Sequence, residues 1–250
     1  MSQNFLKLND EKTEYLVIGS KHNLSKLDDD LSIRVGETSI TNSTAARNIG
    51  AIFDSNMNME SQINNVCKVG YFHLRNIAKI RKFITIDATK TLIQALVISR
   101  LDNFNSLLLI VPNKSLDRLQ KLQNLAARLI SGCSRYDHIT PILFNLHWPP
   151  ITYRIEYKIL LFTYKCLNDL APLYLSQLLC LYKPSRQLRS SNDNFLLIER
   201  NAKQVLVGEK SFSIKAPKLW NKLPLNLRNC ASLSTFKANL KTFLFTKAFY

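Results

Sequence analysis

A mainly α-helical protein with a small antiparallel β part is what this sequence predicts, and three observations carry the prediction. Before Asp54 the apolar residues alternate; after it they recur at three- and four-residue spacing. The later stripes are long enough for helices, and glycines and prolines interrupt them at intervals that leave short connections.

The first part, residues 1–55, holds three short apolar runs around turn residues. These are 15–18 ended by Gly19, 31–35 before Gly36, and 49–53 closed by Asp54 and Ser55. Each predicts a strand of a small antiparallel sheet. The second part, 56–132, predicts a three-helix antiparallel bundle over about 57–131. Its first helix carries Met59, Ile63, Val66, Leu74, Ile77 and Ile80, with Asp54 or Ser55 as N-cap. A second is expected from after Asp87 to about Ile110, where Pro112 ends it. The third presents Leu116, Leu119, Leu122, Leu125, Ala126, Leu129 and Ile130 as one stripe and stops at Gly132.

In the third part, 133–182, Thr140 and Pro141 suit an N-cap and first helical position for a short helix through Leu146. Trp148, Pro149 and Pro150 break it. A longer helix is expected after Thr152, turning Ile155, Ile159, Phe162 and Cys166 inward, and a short one after Pro172. The fourth part, 183–250, is expected as a basic C-terminal tail: a polar linker over 183–194, a small hairpin from runs at 195–198 and 205–207, and a Ser234-capped helix bearing Phe236, Leu240 and Phe243.

Composition bounds the function. The chain has 250 residues, 46% of them hydrophobic, with 13 Phe and 9 Tyr, enough to build a core. No apolar run approaches a membrane span; the greasiest stretch, 107–111, stops at Pro112. MSQNFLKLND at the start lacks the apolar core of a secretion signal, so an intracellular protein, nuclear or cytoplasmic, is expected. Cys67, Cys133, Cys166, Cys180 and Cys230 form no CxxC pair and read as small buried hydrophobes in a reducing compartment. His22, His73, His138 and His147 stand at no metal-ligand spacing from them, so no zinc site is expected.

Charge is the strongest compositional signal. Lys and Arg number 34 against 18 acids, a net charge of +16. The excess is uneven: residues 183–250 hold 13 cations and 3 acids, a net of +10. Such asymmetry suits a polyanion, because cationic side chains release counterions from a phosphate backbone, and composition alone fits a merely soluble basic protein equally well.

Six segments then stand in a telling order. They are NFLKLNDEKTE at 4–14, RNIGAIFD at 47–54, SRLDNFNSL at 99–107, LQKLQNLAARLI ending at Ile130, DHITPILFNLHWPPITYRIEYKILLFTYK ending at Lys165, and a last group of Phe212-Ser213, APKLWNKLP and FKANLKTFLF. Together they resemble the end of the palm, the thumb and the C-terminal region of reverse transcriptases of non-LTR, LINE-type (jockey-like) retrotransposons. Ile49 stands where the family usually has Leu, and Asn103 and Phe104 depart from its SRLDYCNSL string. The resemblance implies a truncated or split RNA-directed DNA polymerase whose paired-Asp catalytic loop would lie ahead of this sequence.

Polymerisation needs carboxylates that hold Mg²⁺ against the triphosphate and primer end. The family's aromatic-Ala-Asp-Asp motif is absent, and Asp28, Asp29 and Asp30 lie on the wrong side of the KTE segment, as a solvated acidic turn. The isolated chain is therefore expected to be no enzyme, to need no cofactor (Mg²⁺ belongs to an intact parent enzyme) and to take no small-molecule substrate. Lys12 resembles the lysine proposed to protonate pyrophosphate, but would have no substrate here; a surface lysine beside a strand is the plainer reading.

What the resemblance leaves is binding of RNA or an RNA/DNA template-primer. Ile49 and Gly50 match the primer grip, where glycine lets backbones approach, or form an ordinary strand. Lys79, Arg81 and Lys82 could contact phosphates or cap the helix dipole. Arg186, Arg189, Lys210, Lys215 and Lys218, interleaved with Phe212 and Trp220, suit single-stranded RNA, although Trp220 itself, between Leu219 and Leu223, reads as core. The alternatives are a helical protein-interaction scaffold and a split polymerase subunit that needs a separate palm.

Overall fold

The computed structural model describes residues 9, 12–27, 31–36, 38–182, 194–198 and 211–250. The fold is mainly helical with two small antiparallel sheets. It packs as two compact units, 1–68 and 69–250, dividing inside one long helix.

In the first unit, α1 (Lys21–Leu24) opens at Ser20, whose hydroxyl accepts the Asn23 N–H at 3.2 Å. Strands β1 (Ser32–Val35) and β2 (Thr38–Thr41) form one hairpin with Ile33 opposite Ile40. Strands β3 (Ala45–Asn48) and β4 (Ala51–Asp54) form another with Ala46 opposite Phe53. The run at 15–18 is not a strand. Tyr15 makes one isolated bridge to Asn42, and the Asn42 side chain, not a second ladder, accepts the Val17 N–H at 3.1 Å. The run at 49–53 is split because Ile49 and Gly50 are the hairpin turn, with φ of 49° and 88°. Positive φ at both central residues is the geometry of a type I′ turn, which matches strand twist.

The entry to α2 (Glu60–Ile80) differs from the expected cap. Neither Asp54 nor Ser55 caps it. Asp54 Oδ1 accepts the Asn58 N–H at 2.8 Å, and Asn58 Oδ1 in turn accepts the Glu60 N–H at 2.9 Å. Met57 and Met59, both left-handed, redirect the chain into the helix.

The second unit begins within α2. Next, α3 (Ile86–Ile93) starts at Thr85, whose hydroxyl accepts the Ala88 N–H. The expected single helix to Ile110 does not form. A π turn, Gln94–Ile98, leads into α4 (Ser99–Asp102), left-handed Phe104 stops it, and a 3₁₀ stretch follows over Asn105–Ile110. The widened turn leaves Ile93, Val97, Ile98 and Leu101 all buried, so packing outweighs regular α-geometry. Helix α5 (Asn113–Ser131) follows Pro112 and ends at left-handed Gly132 as expected. Its stripe is narrower than predicted, for Leu125 faces outward. Gly70 of α2 lies so near α5 that an added Cβ would stand 2.5 Å from Leu122 Cδ2.

Helix α6 (Ile139–Asn145) begins ahead of Thr140, with His138 at the N-cap. Helix α7 (Ile151–Leu167) follows Pro150, and α8 (Leu173–Ser176) follows Pro172. The hairpin predicted near 195 is one bridge, Leu196 to Leu181, and 205–207 lies outside the described residues. The Asn221 side chain occupies the other edge of that segment, accepting from Leu196 N and donating to Leu196 O. Then come α9 (Phe212–Trp220), α10 (Leu225–Arg228) and α11 (Leu233–Phe249), the last capped by Ser232 rather than Ser234.

These last helices are no appended tail. Trp220, Phe236, Leu240 and Leu244 share one core with Leu160 and Tyr164 of α7, and the Tyr164 and Phe236 rings stack 4.3 Å apart. Trp220 is buried as expected, its indole N–H donating to Asn194 O. The cysteines divide: Cys67 and Cys166 are buried, Cys133 and Cys230 half-buried, and Cys180 exposed because it lies beyond α8 on no helix.

Candidate nucleic-acid interface

Helix α2 positions the candidate surface. In residues 69–86 there are four cations and no acid. Phe72, Arg75 and Lys79 recur at three- and four-residue spacing along one side of α2, and Lys82 follows on the turn after it. Phe72 is 57% exposed and Phe83, on the 3₁₀ turn after α2, 75%. The Lys82 ammonium stands 4.8 Å from the Phe83 ring centroid, a cation held against an aromatic face. Lys79 and Lys82 are exposed.

Arg81 is turned away from that side. Its guanidinium donates to Leu129 O at 3.1 Å, to Ile130 O at 3.2 Å and to Ile84 O at 3.3 Å. Two of these carbonyls belong to the last turn of α5, so Arg81 caps a neighbouring helix. The side chain is therefore spent on packing. Lys215 and Lys218 sit half-buried on α9. Arg186, Arg189 and Lys210, and the acidic run at Asp28, Asp29 and Asp30, lie outside the described residues.

In the first unit, Lys12 is exposed, its backbone N–H held by Asn9. Ile49 is 86% exposed at the tip of a hairpin. Gly50 serves the turn, as its φ of 88° explains without invoking a nucleic-acid strand.

Several residues of the site and its scaffold went unnoticed in the sequence. Phe72 and Phe83 carry no motif; a count of acids across 69–86 would have drawn attention to the stretch around them. The family-like segments also hold contacts that spacing does not reveal. The Glu14 carboxylate accepts the Arg47 N–H at 2.9 Å, joining the KTE segment to RNIGAIFD. Around Pro149 three segments meet: Gln123 and Arg154 both donate to Pro149 O, Gln120 accepts the Ile151 N–H, and Arg154 pairs with Asp102 at 2.9 Å. Arg228, nearly buried, lies 3.9 Å from the Phe195 ring centroid and donates to Leu223 O.

Among the described residues no cluster of three or more His, Cys, Asp or Glu could hold a metal, and no helix is long and apolar enough to cross a membrane. No family model, curated protein or solved structure matches the chain.

Proposed function

We propose that this chain is the thumb and C-terminal part of a LINE-type reverse transcriptase, which grips nucleic acid and does not itself polymerise. The observation that carries the reading is the exposed surface of α2 and the turn after it, where Arg75, Lys79 and Lys82 accompany Phe72 and Phe83 in a stretch with no acid. Cations there would contact phosphates, and nothing of opposite charge on the stretch competes for them. The joining of family-like segments at Pro149, through Gln120, Gln123, Asp102 and Arg154, adds support.

The test is a titration with a structured RNA across a salt series. Affinity falling steeply with salt supports the reading, since each phosphate contact contributes about 0.7 to 0.9 to the log–log slope. Affinity without salt dependence, or none, overturns it. A second reading, a protein-binding scaffold, has one observation in its favour. Leu173 and Tyr174 on α8 are large and more than 70% exposed, and Leu170, Leu178 and Leu181 nearby are also exposed.

A further inference from the structure

From the same surface we infer a preference for single-stranded over duplex nucleic acid; this rests on the nucleic-acid reading above and goes beyond it. Phe72 and Phe83 are both largely exposed, and they lie eleven positions apart. Phe72 lies on α2, and Phe83 lies on the 3₁₀ turn Arg81–Phe83 that follows the end of that helix at Ile80. Lys79, in the last turn of α2, falls between them in the chain, with Arg75 before it and Lys82 after it.

A duplex has little use for such rings, because its bases are stacked on one another and it offers a protein mainly phosphates and groove edges. An unpaired strand offers free base faces, and an exposed aromatic ring is the group that captures them. The interleaved cations complete the match: ring, cation, ring along α2 and the turn after it suits a strand whose phosphates and bases alternate. Lys82 beside the Phe83 ring puts a charge next to a stacking face, the pairing a nucleotide would meet with its own phosphate and base. The hydrophobic exposure alone would also fit a protein or a lipid surface. The missing acids and the chain's net charge of +16 favour the polyanion.

The experiment uses the full chain with a fluorescent single-stranded RNA, and a hairpin duplex of equal length as competitor. The expected result is that the single strand binds at least severalfold tighter. Phe72→Leu and Phe83→Leu keep apolar area but remove the ring, and each should weaken single-strand binding about fivefold or more while leaving duplex binding and the circular-dichroism spectrum unchanged. Lys79→Ala should instead weaken both ligands and lower the single-strand salt slope by about 0.7. Equal binding of both ligands, with the Leu variants unaltered, overturns the single-strand inference and leaves the nucleic-acid reading standing. Binding of neither ligand overturns both. Binding of anionic vesicles in place of RNA, retained by the Leu variants, overturns both in favour of a lipid surface.

Discussion

Arg81 and Lys82 are adjacent cations, and what separates them is which carbonyls lie within reach. The Arg81 fork spans the end of α5 and Ile84, using donors at Nε, Nη1 and Nη2 together, which a lysine could not do. Arg81→Ala should therefore lower stability by about 1 to 3 kcal/mol, because the carbonyls it serves lose a charged donor. Thermal melting checks this, and the RNA salt slope should not move. Lys82→Ala should do the reverse, with an unaltered melt and a flatter slope. Trp220 makes the same point within the core. Trp220→Ala removes a fully buried ring and the indole bond to Asn194 O, and a denaturant titration should show a loss of about 3 to 5 kcal/mol. Any fall in RNA affinity should then track the unfolded fraction.

Between elements, the closest constraint is the approach of α2 to α5. A side chain at position 70 would enter the space of Leu122, which is itself fully buried. Gly70→Val adds volume and gains little helix propensity, since a β-branched residue is stiff in a helix. Overpacking of this kind costs about 1 to 3 kcal/mol. A lowered melting temperature is the expected result, and one no lower than wild type would show that α5 can shift to make space. The π turn between α3 and α4 works at the same scale, since it lets Val97 and Ile98 both face inward before Asp102 reaches Arg154.

Across the whole molecule, the core that α7 shares with α9–α11 governs two outcomes. Burial pushes the Tyr157 and Tyr164 phenols above their usual 10.0 and the Cys166 thiol above its usual 9.0; at Tyr164 the neighbouring Cys230 adds to the effect. The folded chain therefore holds these protons more tightly than the unfolded chain does. Stability from this source is complete below about pH 9, where the unfolded groups are also protonated, and is lost as pH climbs through 10 and beyond. Urea midpoints measured from pH 7 to 11 should be level at first and then fall, with a shallower fall in Tyr164→Phe. The second outcome concerns removal of 183–250. That deletion takes away 13 cations, yet it also strips Trp220, Phe236, Leu240 and Leu244 from Leu160 and Tyr164. Loss of RNA affinity in such a variant should come with increased binding of a hydrophobic dye. An intact near-ultraviolet spectrum after the deletion would contradict the shared core.

The sequence by itself determined the mainly helical class, the change of period near Asp54, the stop at Gly132 and the burial of Trp220. All of these follow from local rules: periodicity along one element, a residue free to adopt left-handed φ, a large ring between leucines. The basic positions Lys79 and Lys82 were also plain in the chain. Only the tertiary structure decided that Arg81 faces a helix end, that Phe72 and Phe83 remain uncovered, and that Gln120 and Gln123 secure the Pro149 corner. It also decided that the basic C-terminal region is half of a core and that Gly50 serves a turn. The physical reason is common to these cases. Whether a side chain is spent on packing or left for a ligand depends on partners far away in sequence, as with Arg81 and Ile130, 49 positions apart. Local pattern says which face of a helix a residue occupies, and only the packed chain says what covers that face.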